Sequence, residues 1–351
     1  MVTLKKAAKV AMEKVLALTP GEEVLILTNF EGEVFQIAKA IYEETRALGG
    51  KPVMMVQPEK TTYDYAERVV LEAMRSAPDI CLCLNSKKTG KDPFGMNVGY
   101  IGRDGKKYEH VYMRSIFGDR RVRGFWSPTV TLDMFQRCVD LDYDEMRSTA
   151  AKLVEAMKGK KEVHVTAPAG TDVTISIAGR PGRADDGDFR TPGKGGNLPA
   201  GEVYISPVVA STKGVIVFDG TVDLVPHAVL AKTPVKVQFK DGYVSKVTGG
   251  EEAKGLLAVI QKGEQMAREK GLKTEERNAR HLGELGIGLN HKATMTGNML
   301  EDEKVGGTVH FAIGANYDND GPALIHQDCL VKKPNIWIDG EQIMKGGKLL
   351  L

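Results

Sequence analysis

Residues 23–57 read EVLILTNFEGEVFQIAKAIYEETRALGGKPVMMVQ, and their order decides the first half of the fold. An apolar run at 24–27 precedes an amphipathic helix over 34–48 closed by Gly49 and Gly50, and a second apolar run follows at 53–56. Strand, helix and strand in that order make a βαβ unit. A further helix over 65–75 leads to Ile80-Cys81-Leu82-Cys83-Leu84, whose unbroken apolarity suits a parallel strand covered on both faces. The expectation is an α/β N-terminal domain with a largely parallel sheet.

The turn after the first strand, Thr28-Asn29-Phe30-Glu31-Gly32, lacks the GxGxxG glycines that let a pyrophosphate approach a helix N-terminus, and Glu31 and Glu33 oppose an anion there. A nucleotide is therefore not expected. Upstream, Val2, Leu4, Ala8, Val10, Met12 and Val15 are spaced among lysines as on an amphipathic helix, without the apolar core of a signal peptide. Downstream, residues 87–123 are polar, Gly-rich and basic, and read as a solvated surface excursion rather than an anion site.

A helix over 144–157 runs into Lys158-Gly159-Lys160-Lys161, where the domain boundary is placed: 1–158 and 159–351. Beyond it the pattern changes to period two. Val163 and Val165, then Val173, Ile175 and Ile177, alternate with polar residues, as half-buried antiparallel strands do. Further strands are read at 203–206, 215–218, 235–239 and 243–247, with Asp241-Gly242 as a hairpin turn and one helix over 255–270. The second domain is expected to be mainly β (α+β).

A chain of 351 residues, 42% hydrophobic, has room for two cores. Lys+Arg 48 against Asp+Glu 46 leaves a charge of +2, which provides no basic field for nucleic acid. The four scattered cysteines form no CxxC pair and read as reduced core thiols. No run is long enough to span a bilayer, so no membrane partner is read and the expected compartment is the cytoplasm.

Chemistry concentrates in the last fifth. In Leu324-Ile325-His326-Gln327-Asp328 the His and Asp lie two apart, so on a strand both leave the same face and can chelate one metal. In Gly307–Gly314, Val309, Phe311 and Ile313 share one face while Thr308 and His310 share the other. Glu284 and Glu202 are lone acids among apolar and glycine residues, costly to bury unless paired or metal-bound. Glu303, in Glu301-Asp302-Glu303-Lys304, has the look of a solvated acidic cluster. A His-x-Asp pair with one more ligand makes a mononuclear site, whereas three glutamates, two histidines and an aspartate suffice for two metals, with Zn, Co or Mn favoured over copper. A water on such metals can attack an amide near neutral pH. Neither a GxSxG elbow nor an HExxH helix is present, and the acid-rich set is unlike a closed structural zinc site.

The motifs NLPAGEV (197–203), HLGELGIGLN (281–290), DEK (302–304), TVHFAIGANY (308–317) and HQD (326–328), in this order, resemble the aminopeptidase T family of metallopeptidases. The resemblance implies a dimeric enzyme with two divalent cations in its C-terminal domain that removes N-terminal residues from small peptides. Glu202, Glu284, Glu303, His310, His326 and Asp328 match the metal-binding positions, and Tyr317 matches an active-site tyrosine able to donate to an oxyanion. The chain and its connection from Tyr317 to His326 are shorter than in the well-known peptidases, which bears on what the site admits. The shorter length also resembles a divergent branch, the non-haem iron dioxygenases that open dihydroxypyridine rings. That branch is expected to carry a histidine where this chain has Glu284, so the glutamate favours hydrolysis. The expectation from sequence is a cytoplasmic metallo-aminopeptidase.

Overall fold

The computed structural model describes residues 3–61 and 63–351. Val2, placed on the first helix by its spacing, lies outside them. Two compact units emerge, Met1–Arg147 with Asp185–Ala200, and Ser148–Ala184 with Gly201–Leu351.

The first unit is built on a five-stranded sheet in the order Gly195–Asn197, Gly124–Pro128, Ile80–Asn85, Glu23–Thr28, Lys51–Val56, with every neighbouring pair parallel. Ile80–Asn85 is buried along its whole length, as a strand covered on both faces must be. Helix Val34–Ala47 buries Val34, Ile37, Ala38 and Ile41, the i, i+3, i+4, i+7 stripe of a helix docked on a sheet. Residues 87–123 are more than a surface excursion. They hold the short helix Pro93–Asn97, the ribbon of Tyr100–Ile101 with Lys107–Tyr108, and Tyr100, Val111, Tyr112, Ile116 and Val122, which pack with Leu27, Val70 and Cys83 in one apolar cluster. The basic residues masked that apolar spacing in the sequence.

The second unit contains two β-sheets. An eight-stranded antiparallel sheet runs Tyr243–Thr248, Val235–Lys240, Lys213–Phe218, Asp172–Ser176, Glu162–Thr166, Asn335–Ile338, Glu341–Lys345, Lys348–Leu349. A seven-stranded sheet runs Val229–Leu230, Thr221–Val222, His326–Lys332, Thr308–Gly314, Leu282–Gly288, Glu202–Ile205, Arg183–Asp185. The turn Asp241-Gly242 has φ of +53° and +80°, the left-handed pair that a two-residue hairpin of type I′ demands.

Period-two alternation places the core between the sheets. Val163, Val165, Val173 and Ile175 from the first meet Val203, Ile205, Leu285, Ile287, Val309, Phe311, Ile313, Cys329 and Val331 from the second. Each large side chain so buried contributes about 1.5–3 kcal/mol. Because successive side chains alternate, Glu202, Glu284, His310 and Asp328 leave the opposite face of the seven-stranded sheet together. The α/β unit and the mainly β unit are the architecture expected from the sequence.

Candidate metal centre

Register brings the polar residues side by side. Glu284 pairs with Ala312, which pairs with Asp328, while His310 lies opposite Gly286 and His326 opposite Gly314. Glu202 pairs with Gly288 on the next strand. The ladder slips by one residue between Leu282 and Glu284, a bulge that lets Leu282 face the core with Leu285 and Ile287 while Glu284 faces away. Two glycines of this strand are positions of close approach. A Cβ on Gly286 would run into the imidazole of His310, and one on Gly288 would run into the carbonyl of Val305, beside Lys304.

The result is a buried cluster. His310 Nε2 lies 3.3 Å from Glu202 Oε2 and 3.5 Å from Glu284 Oε1, and His326 Nε2 lies 3.1 Å from Glu284 Oε2 and 3.5 Å from Asp328 Oδ1. Three overlapping donor sets have all their ligand atoms within 4.8 Å of one another: Glu202/Glu284/His310, Glu284/His326/Asp328 and Glu303/His310/Asp328. His326 Nδ1 lies 2.9 Å from the Ala315 carbonyl oxygen; assigned as the protonated nitrogen, it donates there and leaves Nε2 for the cluster. All six residues that the motifs select are brought together. Tyr317 stands beside them, half-exposed, its ring 5.3 Å from that of His326 and 5.1 Å from that of Tyr204.

Lys304 was not singled out in the sequence. It is fully buried, and its Nζ lies 2.6 Å from Glu202 Oε1 and 2.7 Å from Glu303 Oε1. The DEK segment is thus not the solvated cluster its composition implied. Glu301 accepts from the Thr294 backbone at 2.7 Å, and Asp302 accepts from the Thr296 and Gly297 backbone at 2.8 Å, so both cap the preceding loop. Glu303 is the acid that turns into the site. The one signal available was Gly288, whose lack of a side chain admits this segment.

Ionisable groups crowd together here. Four carboxylates face one ammonium and two imidazoles. Burial opposes charge on His310, yet its bond to Glu284 and the negative charge of Glu202 outweigh it and raise its pKa to about 9. His326 is likewise raised against burial, chiefly by Asp328. Burial lifts Glu202 to about 8 despite the opposing charge of Lys304. Glu284 is drawn down to about 2, against the effect of burial, by the imidazoles of His310 and His326 beside it. Even so, Glu202 Oε2, His326 Nε2 and Asp328 Oδ1 are buried without a hydrogen bond of proper geometry. Buried polar atoms left in that state are costly, and a cation among them removes the cost. The donors, mixed oxygen and imidazole nitrogen, are of the types that suit a divalent metal.

The loop from Tyr317 towards His326 is held down within its own unit. Asp318 pairs with Arg183 at 2.7 Å and Asp320 with Arg180 at 2.6 Å, while the Tyr317 backbone N–H donates to Ser206 Oγ at 3.3 Å.

Comparison with known proteins bears on the chemistry. The family model described as NicX, 2,5-dihydroxypyridine 5,6-dioxygenase, matches residues 131–351. The 2,5-dihydroxypyridine 5,6-dioxygenase of Pseudomonas putida KT2440 is 21% identical over 229 residues, and that match spans 62% of this chain and 62% of the enzyme's length. The structure of 2,5-dihydroxypyridine dioxygenase from Pseudomonas putida KT2440 superposes with a TM-score of 0.74 at 16% identity, covering 100% of this chain and 98% of the other. Wild-type AmpT from Thermus thermophilus superposes at 0.67, also 16% identical, with 99% of each chain covered. At that identity both show the fold alone, which this chain shares with AmpT. The family match overturns the expectation of a hydrolase, an aminopeptidase or other protease. The physical reason is that carboxylates and imidazoles hold a cation equally well for either reaction, so the donor types do not choose between them.

Proposed function

The chain belongs to the 2,5-dihydroxypyridine 5,6-dioxygenase family, and from that premise we propose that it is a metal-dependent dioxygenase that opens a dihydroxylated pyridine ring by adding both atoms of dioxygen across one ring bond. The observation that carries this reading is that the family match takes in every member of the buried donor cluster. Iron(II), when bound, supplies the one-electron chemistry that dioxygen requires, which zinc, having no redox chemistry, does not. In place of the zinc, cobalt or manganese pair read from the sequence, the proposal is a single iron.

Glu284, His326 and Asp328 are the residues to hold it, because theirs is the one donor set of the three that shares no residue with the ion pairs of Lys304. Two of its atoms, His326 Nε2 and Asp328 Oδ1, are among those left without a hydrogen bond. Tyr317 faces the same set. The negative charge of Glu284, joined by that of Asp328, raises its pKa well above the usual phenol range. It therefore keeps its proton and is placed to donate a hydrogen bond to an anionic ring oxygen of the substrate. The four cysteines are free and buried, which supports a reducing, cytoplasmic setting. Among the described residues no helix is long and apolar enough to cross a membrane.

The test is anaerobic purification and iron loading, followed by oxygen uptake with 2,5-dihydroxypyridine. The expected result is one dioxygen consumed per ring lost, with both atoms of labelled oxygen in the product. An iron-loaded protein that leaves the dihydroxypyridine and the oxygen untouched sinks the reading.

A further inference from the structure

Lys304 is fully buried, yet a lysine is seldom found without exposed surface unless its charge is paired. Its Nζ bridges Glu202 Oε1 at 2.6 Å and Glu303 Oε1 at 2.7 Å, two oxygens from strands and loops 102 and one residues away in sequence, which is where a cation held by those carboxylates would sit. Two of the three donor sets, Glu202/Glu284/His310 and Glu303/His310/Asp328, each contain one of these acids. The third, Glu284/His326/Asp328, contains neither.

We infer that the Lys304 ammonium stands in for a second metal ion and limits this centre to one. The six donors form overlapping sets broad enough for two cations, and a covalently attached cation fills the half built around Glu202 and Glu303. Its charge is single and it offers three hydrogen bonds but no open coordination position, so that half binds neither water nor substrate as a metal would. Gly288 is part of the device: the absent side chain lets the Lys304–Val305 backbone lie against the strand and carry the ammonium inward. A divalent ion entering the Glu202 set would meet both the repulsion of the ammonium and the loss of two charge-assisted bonds.

The inference rests on the cluster being a metal centre but not on the reaction it performs, so it is tested with a metal that need not turn over. Wild-type protein, Lys304→Met, Lys304→Gln and Lys304→Arg are stripped of metal and titrated with Mn(II), with bound metal measured by elemental analysis and electron paramagnetic resonance. The expected stoichiometry is one per chain for wild type and Lys304→Arg, and two for Lys304→Met and Lys304→Gln. The neutral variants are also expected to show the multiline signal of a coupled manganese pair. Two manganese ions in the wild-type chain overturn the inference whatever the variants do. So does a single ion in whichever of the folded neutral variants circular dichroism confirms. Absence of oxygen uptake, by contrast, bears only on the dioxygenase reading.

Discussion

Both units bury charge, with different outcomes. In the first, Arg123 is 3% exposed; its Nη1 and Nη2 meet Glu22 Oε1 and Oε2 at 2.8 and 2.7 Å, and its Nε donates to the Leu16 carbonyl at 2.9 Å. One guanidinium answers one carboxylate through two parallel bonds, a geometry that needs nothing further. In the second, Glu202, Glu284, Glu303 and Asp328 face one ammonium and the imidazoles of His310 and His326, and buried atoms on Glu202, His326 and Asp328 lack hydrogen bonds of proper geometry. A matched buried pair serves the fold. A cluster that leaves buried donor atoms unsatisfied is the one proposed here to take a cation from outside.

The comparison breaks most visibly through opposite responses to removing one acid. Asp328→Asn is expected to lower turnover roughly a thousandfold, about 4 kcal/mol in the barrier, and to release iron, while shifting the stability of the metal-free protein by less than about 1 kcal/mol. Oxygen-uptake rates and urea melts of metal-free protein check both halves. Glu22→Ala should do the reverse at first hand: it strands the buried guanidinium and is expected to destabilise the protein by about 3 kcal/mol in urea, leaving the iron content of the folded fraction unchanged. Retention of full stability by that variant would remove the distinction between the two kinds of burial.

A third buried ionisable group sharpens the contrast. His281 is fully buried, neither ring nitrogen has a hydrogen-bond partner, and burial lowers its pKa to about 4, with Asp320 opposing and Arg180 reinforcing the shift. The unfolded chain binds this proton below about 6.5 and the folded chain only below about 4, so stability is full above the unfolded value and falls with pH between them. From pH 7.5 to pH 5 the contribution is expected to be about 2 kcal/mol. Urea melts of wild type and His281→Asn at both pH values isolate it, since the difference between the proteins cancels the other titrating groups. The smallest effect expected is at Gly286. An alanine there pushes the His310 ring aside without touching Glu284, His326 or Asp328, and metal affinity should fall roughly tenfold, about 1.4 kcal/mol. A change of a hundredfold or more would place His310 among the direct ligands.

Much of the local structure was legible. Unbroken apolarity at Ile80–Asn85 marks a strand buried on both faces, and alternation at Val309, Phe311 and Ile313 places His310 on the opposite side from the core. His326 and Asp328, two apart, share a face for the same reason. Other features were not legible because they depend on which residue turns inward among similar neighbours. Composition made Glu301–Lys304 look solvated, yet all four are turned in, two as loop caps and two towards the cluster. Basic residues likewise hid the apolar cluster of Tyr100, Val111, Tyr112 and Ile116.

From sequence alone, then, come the α/β and mainly β character of the two halves and the identity of six potential metal donors, since periodicity and residue chemistry are local properties of the chain. The bulge that aims Glu284, the closeness of Gly288 to Val305, and the ammonium of Lys304 between Glu202 and Glu303 are products of tertiary packing alone. They depend on register and close approach between segments far apart in the chain, and no local pattern of residues encodes a distance of 2.6 Å across 102 positions.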